Sequence, residues 1–368
     1  MKLLICFGTR PEAIKMAPIC LELKNRGIAF KLCVTAQHRE MLDQVLHFFN
    51  LIPDYDLNVM KPNQNLNKLS STILCKIDDI FDKEKPNLVL VHGDTTSSSM
   101  IALAAFHKSI KVAHIEAGLR TYNKLSPFPE EINRQLTGRI ADYHFAPTKR
   151  AKENLILEGV NEEHIIITGN TVVDALHFTI KKLDNGYTNS TIKQLKNKFD
   201  FNRKLVLVTG HRRENFERGI RNICNAILEI SKREDVEIIY PVHLNPNIKN
   251  VVEKKLAGKN NIKLIAPIDY PAFIWLMKNS SLIISDSGGI QEEAPTFNIP
   301  LLVTRAHTER DEGIKTGVSY LVGTKPDDIV KKAFQILDNK ITQKPRKNPY
   351  GDGKASVRIL NYILSEKY

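Results

Sequence analysis

From Leu3 to Thr304 short apolar runs alternate with stretches of helical spacing, and this alternation confines the chain to one fold class. The runs Leu3 to Phe7, Phe30 to Val34, Leu88 to Val91, Val112 to Ile115 and Tyr143 to Ala146 are four or five residues long. Runs that short and that uniformly apolar suit strands buried on both faces of a parallel sheet. Between them Pro11 to Asn25, Glu40 to Phe49, Leu66 to Phe81 and Ser97 to His107 have helical spacing. Pro11 stands in a first turn, where its missing N–H costs nothing. Strand and helix in repetition mean right-handed βαβ units. The segment Lys181 to Arg203 is polar and rich in Lys and Asn, and interrupts the series. A second series then runs through strands Leu205 to Val208, Val236 to Tyr240, Lys263 to Ile265, Leu282 to Ile284 and Leu301 to Thr304. Helices Ile220 to Ile230, Ile248 to Leu256, Pro271 to Met277 and Gly289 to Pro295 lie between these strands. A chain of 368 residues exceeds what one core usually serves. The expectation is an α/β protein of two doubly wound parallel-sheet domains facing a cleft, with the domain change near the polar segment.

Composition narrows the partners. Net charge is +12, but the excess is Lys scattered over polar stretches, no basic stretch is interleaved with aromatics, and there is a single Trp. No nucleic-acid partner is expected from that pattern, whereas a basic field favours a phosphorylated small molecule. No apolar run approaches the ~20 residues of a membrane helix, so no membrane partner is expected. The five cysteines are irregularly spaced without a CxxC, which supports neither a disulfide framework nor a zinc ribbon. Lys2 is followed at once by LLICFGTRPE with no small-residue cleavage site, and a cytoplasmic location is expected.

Three acids stand just past apolar runs. Asp94 ends LVLVHGD, Glu116 ends VAHIE and Glu130 opens PEEINR. Ligands of open α/β sheets bind beyond the strand C-termini, and carboxylates sent there are candidate general acids and bases. His92 and His114 each precede an acid by two residues, a spacing that puts both side chains on one side of a strand. That is compatible with a metal, but the HExxH type of signature is absent and no metal is expected. Glu131, next to Glu130, reads as a first-turn acid favoured by the helix dipole. In GTRPEAIKMAP, Arg10 and Lys15 flank a helix start, where free N–H groups make an anion site. No GxGxxG or GxxxxGK[ST] follows a strand, so neither a nicotinamide cofactor nor a P-loop is expected. GHRREN offers His211, Arg212 and Arg213 after a strand of the second series. SDSGGIQEEAP sets Ser287, Gly288 and Gly289 at a helix start open to a diphosphate, with Glu292 and Glu293 one turn in, spaced for ribose hydroxyls.

Together with TAQHREMLDQV, IEAGLRT, SPFPEE, FAPT, TGNTVVDAL, YPVHLNP and PYGDG, these motifs resemble the bacterial non-hydrolysing UDP-N-acetylglucosamine 2-epimerases over nearly the whole chain. The resemblance implies two Rossmann-like domains in a glycosyltransferase-B-like architecture. It sets the first domain at residues 1–169 and the second, UDP-binding domain at 170–351, with a C-terminal helix in 352–368 packing back on the first. It implies interconversion of UDP-N-acetylglucosamine and UDP-N-acetylmannosamine for surface polysaccharide, through elimination of UDP and re-addition to a 2-acetamidoglucal, with no cofactor and in a homodimer. By position, Asp94, Glu116, Glu130 and His211 match the family's catalytic residues. Arg10, Lys15, Arg134, Phe273, Ser287, Gly288, Gly289, Glu293 and Arg310 match its substrate contacts. A second, activating substrate molecule would meet Gln37, Arg212 and His243. Glu40 and Asn63 depart there from the Gln and Arg of some relatives and should weaken that activation. The loop RAHTERDE departs from the family's RDTTERPE at Ala306, His307 and Asp311. Four other readings share the fold: a hydrolysing relative releasing UDP and free N-acetylmannosamine, a related 2-epimerase of another UDP-sugar, a UDP-sugar transferase, and a non-catalytic UDP-sugar sensor.

Overall fold

A computed structural model describes residues 1–36, 39–61, 64–200, 202–210, 212, 215–216, 218–340 and 347–365, the side chain of Glu40 excepted. The chain divides into two compact units, Met1–Phe178 with Tyr350–Tyr368, and Thr179–Pro349. The first crossing thus falls after Phe178, inside a helix and near the polar segment, where the resemblance implies residue 169.

Unit 1 runs β1 (Leu3–Phe7), α1 (Arg10–Asn25), β2 (Phe30–Val34), α2 (Arg39–Phe48), β3 (Tyr55–Asp56), α3 (Leu66–Glu84), β4 (Leu88–His92), α4 (Thr96–His107), β5 (Lys111–Ile115), α5 (Glu130–Ile140), β6 (Tyr143–Ala146), α6 (Lys149–Leu157), β7 (Ile165–Ile167) and α7 (Thr171–Asp184), the last ending beyond the unit. Among the described residues its parallel strands are ordered β3-β2-β1-β4-β5-β6-β7. Leu3 pairs with Phe30 on one side and with Leu88 on the other. Every residue of β1 and of β4 is buried, which is why Leu3 to Phe7 and Leu88 to Val91 read as unbroken apolar runs. On one face Leu4, Cys6, Val89 and Val91 pack on Ile73 and Ile77 of α3 and Ile101 of α4. The chain order reverses between β1 and β4, and such a switch point opens a crevice at the strand C-termini.

Unit 2 runs α8 (Ser190–Lys198), β8 (Lys204–Thr209), α9 (Arg218–Ile230), β9 (Val236–Pro241), α10 (Pro246–Leu256), β10 (Ile262–Ile265), α11 (Tyr270–Lys278), β11 (Leu282–Ser285), α12 (Gly288–Glu293), β12 (Leu301–Val303), α13 (Glu312–Lys315), β13 (Ser319–Leu321) and α14 (Pro326–Leu337). Its strand order, β10-β9-β8-β11-β12-β13, repeats the same switch, here between β8 and β11. Ile220, Ile223, Ile227 and Ile230 make one face of α9 and pack with Val206, Val208 and Ile238 of the sheet.

The chain then returns to unit 1 as α15 (Ala355–Ser365), which packs on α1. Asp174 caps that helix, accepting from Ala355 N at 3.1 Å, Ser356 N at 2.8 Å and Ser356 Oγ at 2.6 Å. Gly169 lies so close to the returning chain that a Cβ there would fall 3.2 Å from Gly351 Cα. The polar segment that interrupts the series holds α8, capped by Asn189 but burying only Ile192 and Leu195, too faint a periodicity to read. Among the described residues no helix is long and apolar enough to cross a membrane.

Candidate active site

In unit 1 the loops after β1, β2 and β4 converge at the switch point. Gly8 makes this possible: a Cβ there would fall 1.9 Å from Thr35 Oγ1 and 2.8 Å from Ser97 Oγ, two hydroxyls hydrogen-bonded to each other at 2.8 Å. Glu12 fastens the assembly. Its buried carboxylate accepts from Gly8 N at 3.1 Å, Thr9 N at 2.8 Å and the Thr95 hydroxyl at 2.8 Å. Burial pushes its pKa up, opposed by those hydrogen bonds. The start of α1, with Arg10 at its first position and Lys15 a turn later, is thereby tied to the loop that carries Asp94.

Each strand-end acid has its own partners. Asp94 Oδ2 accepts from Arg134 Nη2 at 2.5 Å, and Asp94 O from Asn133 Nδ2 at 3.0 Å. Glu116 has φ +64°, a left-handed conformation costing a non-glycine residue about 1 kcal/mol or more. Its Oε1 accepts from Lys15 Nζ and, at 2.7 Å, from Asn170 Nδ2. Its Oε2 lies 3.5 Å from His92 Nε2. Burial drives the His92 pKa down to about 4 against the pull of Glu116, so the ring is neutral at pH 7. His114 is buried with Nε2 on Gly93 O at 2.7 Å, and burial takes its pKa to about 3. That contact supports the turn leading into Asp94. Among the described residues no group of three or more His, Cys, Asp or Glu is placed to hold a metal ion. Glu130 opens α5, and its Oε2 is buried without a hydrogen-bond partner among the described residues.

Glu131 lies in the first turn of α5, as its position implies, but the helix start is not all that it serves. It is fully buried and accepts from Thr121 N and Tyr122 N, both at 3.0 Å, with Arg134 Nη1 3.6 Å away. The structure therefore gathers Asp94, Asn133, Arg134 and Glu131 into one set, and Glu116, Lys15, His92 and Asn170 into another. The sequence does not single out Glu12 or Asn170 and gives Glu131 only a helix-dipole role, because their partners are backbone groups or residues far along the chain.

In unit 2 the loops after β8 and β11 lie side by side. Asp286, fully buried, accepts from Arg212 N at 3.1 Å and Asn215 Nδ2 at 2.9 Å, and Asn215 also donates to Thr304 O at 3.1 Å. His211 and Arg213 lie outside the described residues, as do Gln37, Asn63 and the side chain of Glu40. Ser287 precedes α12, and Gly288 opens it. A Cβ on Gly288 would fall 2.7 Å from Arg310 Nη1, so the guanidinium rests directly over that turn. Arg310 is held by Glu292 Oε1 at 2.7 Å and by Glu309. Burial alone would raise the Glu309 pKa, but Arg310 and Arg305 hold it well below the carboxylate range. Thr308 of the same loop donates to Gln291 Oε1 at 2.7 Å. Ser287, Gly288, Gly289 and Arg310 thus share one corner with Glu292 and the buried Glu293. Phe273 stands half-buried on α11. Arg212 has its pKa lowered, first by burial, with Nη2 3.9 Å from Glu309 Oε1. His243 is exposed, its Nδ1 accepting from Asn245 N at 3.1 Å.

Comparison with known proteins extends past these sites. Residues 21–364 match the sequence profile described as UDP-N-acetylglucosamine 2-epimerase. A protein of that name from Salmonella borreze is 52% identical over 372 residues, covering 99% of this chain and 98% of the relative. Another, from Campylobacter jejuni, is 50% identical over 376 residues, covering 100% and 98%. The crystal structure of UDP-GlcNAc 2-epimerase from Neisseria meningitidis bound to UDP-GlcNAc has a TM-score of 0.94 at 46% identity, covering 100% of both chains. A likeness that holds through both units at this level of identity places the chain in the UDP-N-acetylglucosamine 2-epimerase family.

Proposed function

We propose that the chain interconverts UDP-N-acetylglucosamine and UDP-N-acetylmannosamine without hydrolysis. The observation that carries this reading is the pair of cation-held acids beyond β4 and β5, Asp94 on Arg134 and Glu116 on Lys15. The C2 hydrogen of the sugar is not flanked by a ketone, so direct deprotonation is unfavourable. In the proposed route a carboxylate takes the C2 proton while the C1–O bond breaks and UDP leaves with the electron pair. The product is a 2-acetamidoglucal. UDP then adds back at C1, and an acid on the opposite face delivers a proton to C2. Asp94, Glu116 and Glu130 serve the proton transfers, and Arg10, Lys15 and Arg134 steady the developing charge. UDP is held by His211, Phe273, Ser287 to Gly289, Glu293 and Arg310. The product would feed surface polysaccharide from the cytoplasm, the enzyme acting as a homodimer. Weakened activation by a second substrate molecule, through Glu40 and Asn63, belongs to the same proposal.

The test is proton NMR of UDP-N-acetylglucosamine incubated with the protein in deuterated water, without added cofactor and with EDTA. Deuterium entering C2 as UDP-N-acetylmannosamine accumulates is the expected result. Accumulation of UDP and free N-acetylmannosamine would identify a hydrolysing enzyme instead, and strict dependence on NAD or a divalent ion would refute the reading.

A further inference from the structure

Asn170, at 2% exposure, has hydrogen bonds in three directions. Its backbone N–H donates to Tyr350 O at 2.7 Å. Its Oδ1 accepts from Val172 N at 3.0 Å, the bond of an N-cap at the start of α7. Its Nδ2 donates to Glu116 Oε1 at 2.7 Å. The bond from Val172 fixes which way the amide faces, since only the oxygen accepts, and so the nitrogen is turned to Glu116. Among the described residues Oε1 of Glu116 then accepts from both Asn170 and Lys15. Oε2 lies instead near His92 Nε2 and 3.4 Å from where a Cβ on Gly93 would stand. Among the described residues, Lys15 from α1 and His92 from β4, the latter neutral, stand against the carboxylate. Asn170 adds an uncharged amide to these groups.

We propose that Asn170 is a positioning residue for Glu116: its amide, bonded to Oε1, fixes the direction in which the carboxylate faces, and its backbone ties that orientation to Tyr350, where the chain re-enters unit 1. The inference rests on the epimerase reading of Glu116. No residue type or spacing announces it, because the two side chains are 54 positions apart.

Asn170→Ser and Asn170→Asp separate positioning from capping. Both replacements keep an acceptor for Val172 N, so α7 keeps its cap. Ser loses the donor to Glu116, and Asp sets a second carboxylate against it. Both variants should melt close to the parent and bind UDP with unchanged affinity by calorimetry. Their kcat should fall roughly 10- to 100-fold, as expected of a misplaced reacting group. The acid limb of kcat/KM should move to higher pH in both and further in the Asp variant, by about one unit, since a lost donor and a like charge both disfavour the ionised carboxylate. Variants that keep the parent's kcat and acid limb would leave Asn170 a mere cap and overturn the proposal. Unfolding of both would make it a folding residue and overturn it equally. If only one folds, that one decides. Parent protein assayed in parallel distinguishes the two levels: an inactive parent sinks the epimerase reading itself, whereas an active parent beside unaltered variants sinks only the assignment of Asn170.

Discussion

A carboxylate clamped by a cation beside a strand end is poised to accept or return a proton only if its charge and direction are both kept. Glu116→Gln and Asp94→Asn preserve shape and remove the charge that Lys15 and Arg134 hold. Each should lower kcat at least ~100-fold, the lower range for a general acid–base group. UDP affinity should change far less, because its proposed contacts are in unit 2. Near-normal turnover in either variant would remove that residue from the mechanism. Glu131 acts differently, as the acceptor for two backbone N–H groups of the turn at Thr121 and Tyr122. Glu131→Ala leaves those donors unpaired and should cost about 1–3 kcal/mol. Faster hydrogen exchange at the two amides, with a lower melting temperature, is the expected signature. Unchanged protection there would show that the turn does not depend on it.

At the scale of elements, two helix starts are built on glycines with opposite tolerances. Before α1, a Cβ on Gly8 would collide with Thr35 Oγ1, whose β-branched side chain is held by its bond to Ser97. Gly8→Ala should therefore destabilise the fold by ~1–3 kcal/mol, the usual cost of overpacking. At α12, the atoms nearest a Cβ on Gly288 belong to the guanidinium end of the long Arg310 side chain, which can shift while keeping Glu292 and Glu309 as partners. Gly288→Ala should keep the melting temperature and weaken UDP binding, because the methyl group occupies the approach to the backbone N–H groups. Thermal melts and UDP titration calorimetry of the two variants should show this reciprocal pattern. Equal loss of stability in both would contradict it.

Across the whole molecule, acid should undo unit 1 before unit 2. Burial holds His92 and His144 at about 4 and His114 at about 3, against an ordinary value near 6.5. The unfolded chain therefore binds more protons than the folded one between about pH 6.5 and 4. Stability falls as pH drops through that window, by up to ~1.4 kcal/mol per pH unit for each histidine. Glu12 and Asp174, raised by burial, act in the opposite sense and soften the slope. All five groups lie in unit 1, whereas the single Trp, Trp275, lies in unit 2. Urea midpoints at pH 5 and pH 7.5 should therefore differ more by far-UV circular dichroism than by tryptophan fluorescence. Equal shifts by both probes would show that the buried histidines do not control acid stability.

Fold class and the location of the strand-end acids were settled by local sequence alone. A strand buried on both faces has to be apolar throughout, and the turn that follows it has to be polar or glycine-rich, so β1, β4, β5 and the positions of Asp94 and Glu116 are legible within a few residues. The order of strands is not local. That both units reverse between their first and fourth strands, and so bring Gly8 beside Ser97 and Arg212 beside Asp286, emerges only from pairing across the sheet. The helix α8 and the crossing after Phe178 were likewise hidden, one behind two buried side chains and the other inside a continuous helix. Tertiary structure also decided what the acids do. Glu130 and Glu131 are the same residue type at neighbouring positions, yet one leaves a carboxylate oxygen without a hydrogen-bond partner among the described residues and the other is spent on backbone N–H groups. A backbone donor carries no residue signature, so a buried acceptor that serves it is invisible until the chain is folded.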